Sequence, residues 1–493
     1  MGALGAIEVE SASDGRGAAR LPGKVWYGAV MAASALLIVH GAWTTSPWED
    51  EFHSLLPDAL VRYRSHPIYY VYLEVARTFT DSFLMLRLWS ALPFLLGLAL
   101  LPAFLRRVLR GEREAFFAWC FVALNPYLLH EAFQIRYYGF SFLTAVLSLR
   151  AGYILCVSGG SALVIALALL ALLVNALVIS SAALLSVWIL LLALWAPAVR
   201  SWSLRIPVLL AAFGSLCAGA LHFRWEILEV LKHGPSSLLD RLPLVTGYHR
   251  GPVDLSTVAW QYEKLLGWNT LEGWIPSAAL GIAAMTATSC ALVLLLSRIR
   301  ALRGVLLGSL LLPAVVCGLA LFLVNFINPR YYLHAAIPLA IGQGLLVAGL
   351  VRSRHRVFAL PALLLLLAVQ AGALVRGVTE DQTASMDRIL NAVKEHRVEA
   401  LVVHPLWYGY HVQQHLDHAG LSVSVLAREA LDGDLPVWLF VKDPRYVWPK
   451  RKITPPARLD LEKHYSVVAR APYLRKYYFH PPVCEDRLLR LKR

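Results

Sequence analysis

Short groups of charged and aromatic residues interrupt an otherwise apolar sequence. One is the acidic run 49–51, which follows the first apolar segment after five intervening residues, and two others are the Arg-Tyr-Tyr triplets at 136–138 and 330–332. A carboxylate can take the proton of an attacking hydroxyl group, and arginine and tyrosine side chains can stabilise an anionic phosphate. Taken one at a time, these groups are better explained as a solvated loop or as arginines that extend toward lipid headgroups. Together with His66, they indicate a polar pocket at one membrane interface.

The elements that must position these residues are membrane helices. Of the 493 residues, 58% are hydrophobic and 16% charged, and the mean hydropathy is +0.57. Soluble domains carry about 25% charged residues, and about 20 apolar residues are enough to cross a bilayer as a helix. Segments 161–195 and 359–375 are of this kind. Segment 25–43 has a basic approach but no clear cleavage site, so we interpret it as an uncleaved first span.

Basic residues in short loops predict the orientation, because cytoplasmic loops are enriched in Lys and Arg. Such groups lie at 106–113, 200–205, 298–303 and 352–356. Their alternation with the apolar segments predicts about eleven transmembrane helices, an internal N-terminus and an external C-terminal domain. Region 161–197 is compatible with two spans or with one span broken near Asn175. The net charge of +14 is explained by these loops and a basic tail, and no basic patch of the kind that binds nucleic acid is found.

The chain divides into three predicted parts. Residues 1–24 form a cytoplasmic tail, residues 25–378 form the helical membrane domain with a first outer loop at 44–85, and residues 379–493 form an extracytoplasmic domain. In the last part, helical spacing alternates with the strand-like runs ALVVHP, LSVSVL and PVWLFV, which predicts a small α/β domain. It has no phosphate-binding loop or nucleophile elbow, so a supporting or lid function is the simpler interpretation. The six cysteines show neither a pairing framework nor metal-binding spacing.

One reaction fits such a pocket at a membrane surface: transfer of a sugar carried on a polyprenyl phosphate. The lipid tail would lie among membrane helices, and the phosphate would leave as an anion that arginine and tyrosine side chains stabilise. The acceptor hydroxyl loses a proton as it attacks the anomeric carbon, so one carboxylate can act as general base. A phosphate leaving group needs no second carboxylic acid, whereas the leaving group in glycosidases does.

Several short motifs occur in a defined order along the chain. Asp50-Glu51 is followed by HPIYY (66–70), LRLWSAL (86–92), NPYLLHEAFQIRYYGF (125–140) and NPRYYLHAAIPLAI (328–341). In this order they resemble the GT-C superfamily of membrane glycosyltransferases, in particular bacterial lipopolysaccharide-sugar transferases, protein O-mannosyltransferases and aminoarabinose transferases. Each motif is short, so the resemblance depends on their order and topology.

The resemblance implies a GT-C-like α-helical polytopic fold with a small C-terminal extracytoplasmic α/β domain. It also implies an inverting glycosyltransferase in the bacterial inner membrane that uses a polyprenyl-phosphate sugar and a glycan, lipid or protein acceptor at the outer face. Asp50 would be the catalytic base, and Glu51 would orient the base or the acceptor. The other predicted site residues would bind the substrate phosphate or position the groups that do; they are His66, Arg87, Arg136, Tyr137, Tyr138, Arg330 and Tyr331.

The chain also departs from the family pattern. Ile68 replaces the second proline of the family motif, Gln134 and Ile135 replace the residues before its arginine, and the additional Glu49 leaves open which of the three carboxylates is the base. The best-matched branches imply catalysis without a cofactor. A divalent cation is a less favoured possibility, with hard oxygen ligands from Glu49, Asp50, Asp240 and Asp254.

Two other functions stay open. A transporter or flippase for lipid-linked glycans predicts charged residues inside the spans near the bilayer midplane, whereas the polar residues here cluster at one end. A non-catalytic assembly protein predicts that neutralising Asp50 has no effect beyond a local change in stability.

Overall fold

The computed structural model describes a helical part followed by a part that contains a β-sheet. The described residues are 24–45, 49–55, 66–109, 111–196, 199, 201–222, 232, 262–271, 275, 279–284, 286–287, 290, 333–353, 356–379, 386–404, 408–426, 436–441, 461–474 and 483–492.

Helices account for most of the described residues between 24 and 379. They are α1 (Lys24–Thr44), α2 (Glu49–Ser54), α3 (Pro67–Arg77), α4 (Phe83–Val108), α5 (Glu112–Ala123), α6 (Pro126–Phe133), α7 (Tyr138–Tyr153), α8 (Ala162–Ala176), α9 (Ser180–Trp195), α10 (Trp202–His222), α11 (Ala336–Arg352) and α12 (Arg356–Thr379). A π-helical turn at Ile154–Ser158 extends α7, and a 3₁₀ turn forms at Trp268–Leu271.

Five helices in the described part of the chain are long and apolar enough to cross a membrane. They span Lys24–Thr44, Phe83–Val108, Tyr138–Ser158, Trp202–Leu221 and Leu333–Arg352. Large apolar side chains remain exposed along several of them, which is what a lipid environment requires. The protein is therefore a multi-pass membrane protein. The predicted total of about eleven spans also depends on segments between 291 and 332, which lie outside the described residues.

Region 161–197 forms two helices, α8 and α9, separated by three residues. Asn175 stabilises the break between the two helices. Its side-chain amide donates to the carbonyl oxygen of Ala182 and to Ser186 Oγ, both at 3.0 Å. Ser186 Oγ in turn donates to the carbonyl oxygen of Leu172 at 2.8 Å. Buried polar side chains thus join the two helices next to the connection.

Close backbone contact fixes α4 against α7. A Cβ added at Gly139, in the first turn of α7, would lie 2.4 Å from the carbonyl oxygen of Ser90 in α4. Small residues permit this approach in membrane proteins, where van der Waals packing largely drives helix association. On the same helix, Arg87 lies about one turn before Ser90, so the contact also fixes a predicted site residue relative to the start of α7.

The C-terminal part contains a five-stranded sheet in the order β2-β1-β3-β5-β4. Its elements are α13 (Asp387–Glu395), β1 (Ala400–His404), α14 (Gly409–His418), β2 (Ser424–Leu426), β3 (Trp438–Val441), α15 (Leu461–His464), β4 (Tyr465–Leu474) and β5 (Val483–Leu491). β1 is parallel to β2 and β3, whereas β5 is antiparallel to β3 and β4. The strand-like runs of the sequence form β1, β2 and β3, and the helices α13 and α14 bury Ile389, Val412 and Leu416 in one core with Phe440.

The contact at Gly139 makes a prediction about stability. Gly139→Ala should lower the free energy of unfolding by about 1–3 kcal/mol, because an oversized side chain at a close contact forces the backbone apart. Thermal unfolding of the purified protein in detergent would measure the change. The matched control is Gly28→Ala in α1, where an added Cβ meets no atom within 4 Å; equal loss in both variants would contradict the close-contact explanation.

Candidate active site

A buried ion pair joins the short acidic helix α2 to α4. Arg87 Nε donates to Glu51 Oε1 at 2.9 Å, and Arg87 Nη2 donates to Glu51 Oε2 at 2.7 Å. Glu51 is fully buried and Arg87 is 3% exposed. The parallel, bidentate geometry is the strongest form of a charge-assisted hydrogen bond between these groups. It offsets the large cost of removing both charges from water.

The same arginine also holds the end of α1. Its Nη1 donates to the carbonyl oxygens of Ala42 (2.9 Å) and Thr45 (2.7 Å) and to Thr45 Oγ1 (3.2 Å). The last carbonyls of a helix have no partner within the helix and carry partial negative charge, so a cation stabilises them. The predicted positioning function of Arg87 is consistent with these contacts, because one side chain sets the distance between α1, α2 and α4.

Glu51 also binds the segment between α6 and α7. The backbone N–H of Ile135 donates to Glu51 Oε1 at 3.0 Å. Both carboxylate oxygens therefore accept hydrogen bonds from fixed donors, which suits an orienting residue better than a proton acceptor. Asp50 and Glu49 belong to the helical backbone of α2, but their side chains lie outside the described residues, so the choice of the base stays a prediction.

Arg136 lies beside the end of α2. Its Nη1 donates to Ser54 Oγ at 3.4 Å, and its guanidinium carbon lies 5.6 Å from the ring centre of Tyr137. Ser54 is only three residues from Glu51. The structure therefore brings together the acidic helix and the first Arg-Tyr-Tyr triplet, which the sequence predicted to share one pocket.

His66 packs against Tyr137 of the same triplet. The His66 ring lies 4.2 Å from the Tyr137 ring, centre to centre, and His66 Nδ1 is 2.9 Å from the carbonyl oxygen of Val178. A carbonyl can only accept, so Nδ1 carries the proton in this arrangement. Tyr137 also packs edge-on against Tyr138, with ring centres 4.7 Å apart. His66 therefore helps to position the Tyr137 ring.

Helix α14, from the part of the chain that contains the sheet, packs against α2. Phe52, the residue after Glu51, is 4% exposed and packs edge-on against His415 of α14 at 5.0 Å. His418 of α14 lies 5.1 Å from the Phe83 ring at the start of α4. The pKa of His418 is lowered from its ordinary value of 6.5, chiefly by burial and secondarily by the positive charge of Arg87, with Glu51 opposing the shift. Helix α14 therefore packs beside the buried ion pair.

Comparison with solved structures returns matches of low sequence identity. ArnT from Cupriavidus metallidurans in the apo state is 12% identical over 94% of this chain and 98% of that chain, with a TM-score of 0.49. The oligosaccharyltransferase of Archaeoglobus fulgidus in the apo form is 12% identical, with a TM-score of 0.45, over 79% of this chain and 64% of that chain. The same enzyme tethered with an acceptor peptide is 11% identical over 93% of this chain and 74% of that chain, with a TM-score of 0.48.

No protein-family model and no curated protein sequence matches the chain.

Part of the predicted site lies outside the described residues. Arg330 and Tyr331, which were expected to face the phosphate from the opposite side, are in this group, as are Asp240 and Asp254. In the ranges that the structure describes, no three His, Cys, Asp or Glu side chains are close enough together to hold a metal ion.

Several buried ionisable residues were not predicted as site residues. Glu131 in α6 is 1% exposed, and Glu263 and Lys264 are 3% and 2% exposed. Lys264 Nζ lies 5.7 Å from the ring centre of Tyr127, also in α6. Buried charges within a membrane domain are costly and usually functional. Glu131 lies within the motif at 125–140, but its neighbours are mostly apolar, so no periodic pattern in the sequence predicts that it is buried.

Removing one partner of the buried ion pair should strongly destabilise the folded protein. Arg87→Met should lower the free energy of unfolding by about 3–5 kcal/mol, because it leaves the Glu51 carboxylate buried without its cation. The double variant Arg87→Met with Glu51→Met should recover part of that loss. Denaturant unfolding in detergent would measure both.

The matched control is Arg77→Met, which breaks a partly exposed ion pair with Glu74 at 2.8 Å. It should change stability by only about 0–1 kcal/mol. A small effect of Arg87→Met, similar to that of the control, would show that the pair does not hold the site together.

The shifted histidine predicts a pH dependence. Because the pKa of His418 is lower in the folded protein than the unfolded value near 6.5, the unfolded state binds more protons in this range, and stability falls as the pH drops below about 6.5. His418→Gln should reduce this fall, as measured by melting temperatures at pH 7.5 and pH 5.5. An unchanged pH dependence in the variant would exclude His418 as the responsible group.

Proposed function

We propose that the protein is an inverting glycosyltransferase that moves a sugar from a polyprenyl-phosphate donor to an acceptor hydroxyl. The reaction would take place at the outer face of the bacterial inner membrane, with the N-terminus in the cytoplasm and the C-terminal domain outside. The observation that supports it best is the buried Glu51–Arg87 pair, which fixes the acidic helix α2 next to Arg136.

The position of α2 supports a division of labour between neighbouring carboxylates. Glu51 is fully buried and engaged by Arg87 and by the Ile135 N–H, so it holds the helix in place. Asp50 directly precedes it in the same helix. A base must be held at a fixed distance from the proton it removes, and a helix fixed by a buried ion pair meets that requirement.

In the proposed step, the acceptor oxygen attacks the anomeric carbon as the bond from that carbon to the phosphate oxygen breaks. Asp50 takes the hydroxyl proton, and the polyprenyl phosphate leaves with the bonding electrons. Arg136 and the tyrosines beside it stabilise the charge that develops on the phosphate, with Arg330 and Tyr331 proposed on the other side. A single displacement inverts the configuration at the anomeric carbon, and the exposed apolar helix surfaces provide the lipid tail with a suitable environment.

Sugar transfer by the purified protein would test this proposal. The protein in lipid nanodiscs would be given radiolabelled polyprenyl-phosphate sugars and a membrane extract as the acceptor source. Asp50→Asn should lower the turnover number at least about 100-fold, the smallest effect expected of a general base, while donor binding is retained. The matched control is Asp81→Asn, an exposed carboxylate in the connection between α3 and α4.

The outcomes separate the alternatives. Donor binding without turnover in the wild-type protein would point to a flippase or an assembly protein and end the enzyme assignment. Equal turnover by wild type and Asp50→Asn would reject Asp50 as the base.

A further inference from the structure

The short helices α5 and α6 together cross the membrane domain from one end to the other. At the start of α5, Glu112 lies 3.7 Å from Arg106 at the end of α4, whereas Arg87 of the candidate site is at the start of α4. Just after α6, the N–H of Ile135 donates to Glu51 in the site. The two helices contain 12 and 8 residues, which together rise about 30 Å, the thickness of the apolar part of a bilayer. α5 and α6 are therefore two halves of one interrupted membrane crossing.

The interruption lies near the centre of the membrane domain. The hydroxyl of Ser34, the middle residue of α1, lies 3.0 Å from the carbonyl oxygen of Val30 and 2.9 Å from that of Ala123, the last residue of α5. Gln370, inside α12, donates from Nε2 to the carbonyl oxygen of Leu124 at 3.3 Å. Water cannot satisfy such carbonyl groups in the apolar part of a bilayer, so partners inside the protein must do so.

Asn125 joins the start of α6 to another backbone segment. Its Oδ1 accepts from the N–H of Leu128 at 3.0 Å, and its Nδ2 donates to the carbonyl oxygen of Leu265 at 3.2 Å. Next to it, Pro126 packs so closely against Gly267 that a Cβ added at the glycine would lie 2.7 Å from Pro126 Cδ. The fully buried side chain of Asn125 is therefore both the cap of α6 and its attachment to the segment beyond.

α6 transmits the position of this attachment to the candidate site. All eight of its residues are buried, and the helix is only about 12 Å long. So short a helix has little stability of its own, and its position depends on the contacts around it. Directly after it, Ile135 and Arg136 donate to Glu51 and Ser54 of α2. A displacement at Asn125 should therefore move Arg136.

We propose that Asn125 is a positioning residue, which holds Arg136 at the depth where it meets the donor phosphate. The contact between Arg136 and a phosphate rests on the proposed transferase function. The coupling between Asn125 and the residues after α6 does not, and it can be measured without any substrate.

Hydrogen–deuterium exchange of the full-length protein in lipid nanodiscs would measure this coupling. Asn125→Ser keeps a capping oxygen, since serine caps helices as well as asparagine does, but its shorter side chain cannot reach Leu265. Peptides that contain Ile135 should exchange about five- to tenfold faster in the variant, as expected for the loss of one hydrogen bond. Gly267→Ala disturbs the same junction from the other side and should have the same effect, because an added Cβ would collide with Pro126.

The matched control is Ser34→Ala, which changes the α5 side of the same interruption. Exchange at Ile135 should stay at the wild-type rate in this variant, and gel filtration would establish that all variants are folded. Unchanged exchange in both Asn125→Ser and Gly267→Ala would overturn the proposal. An equal increase in the control would also overturn it, because the effect would then be general loosening.

Binding of a radiolabelled polyprenyl phosphate would test whether the coupling acts through Arg136. Arg136→Gln should weaken binding about tenfold or more, as expected for loss of a hydrogen bond to a charged group. Asn125→Ser should weaken it about five- to tenfold. The double variant should bind no more weakly than Arg136→Gln alone, because both changes remove the same contact. Losses that multiply in the double variant would overturn the proposal.

Turnover separates this proposal from the proposed function. In the sugar-transfer assay, Asn125→Ser should raise the KM for the donor and leave the KM for the acceptor unchanged. No transfer by the wild type, with exchange and phosphate binding as expected, would reject the transferase and sustain Asn125 as a positioning residue for phosphate binding. Transfer by the wild type with an unchanged donor KM in Asn125→Ser would do the reverse.

Discussion

The buried ion pair between Glu51 and Arg87 is the constraint around which this part of the molecule is arranged. Two full charges in an apolar surrounding are tolerated only when nearly every hydrogen-bonding group on them is satisfied. Arg87 meets that condition by binding the last carbonyls of α1 as well as Glu51, and Glu51 meets it by accepting from the Ile135 N–H. The end of α1, α2, α4 and the connection before α7 therefore converge on one point.

The close packing of α4 against α7 is needed for that convergence. Ser90 and Gly139 touch through backbone atoms, and any side chain at position 139 would separate the helices. Ile135 and Arg136 lie just before α7, so the same separation would move their contacts with Glu51 and Ser54. The close packing at Gly139 therefore also fixes the positions of Ile135 and Arg136 relative to Glu51 and Ser54.

Much of the fold and of the site could be predicted from the sequence, and the features that could not be predicted share a physical cause. Apolar length predicts the spans, the short apolar runs predict β1 and β3, and the resemblance predicts that Asp50-Glu51 and Arg136 share one pocket. Region 161–197 could not be decided, because the break depends on which acceptors Asn175 finds in α9. The burial of Glu131 and Lys264 was missed for the same reason. Such contacts depend on tertiary neighbours, and tertiary neighbours produce no periodic pattern in the amino-acid sequence.

The contact between α2 and α14 depends on side chains from both helices. α2 is too short to bury Phe52 by itself, and His415 of α14 provides the missing apolar surface at 5.0 Å. This coverage reduces the access of water to the Glu51–Arg87 pair, and electrostatic interactions strengthen as water is excluded. A change that loosens the contact between α2 and α14 should therefore admit water to the Glu51–Arg87 pair and weaken it.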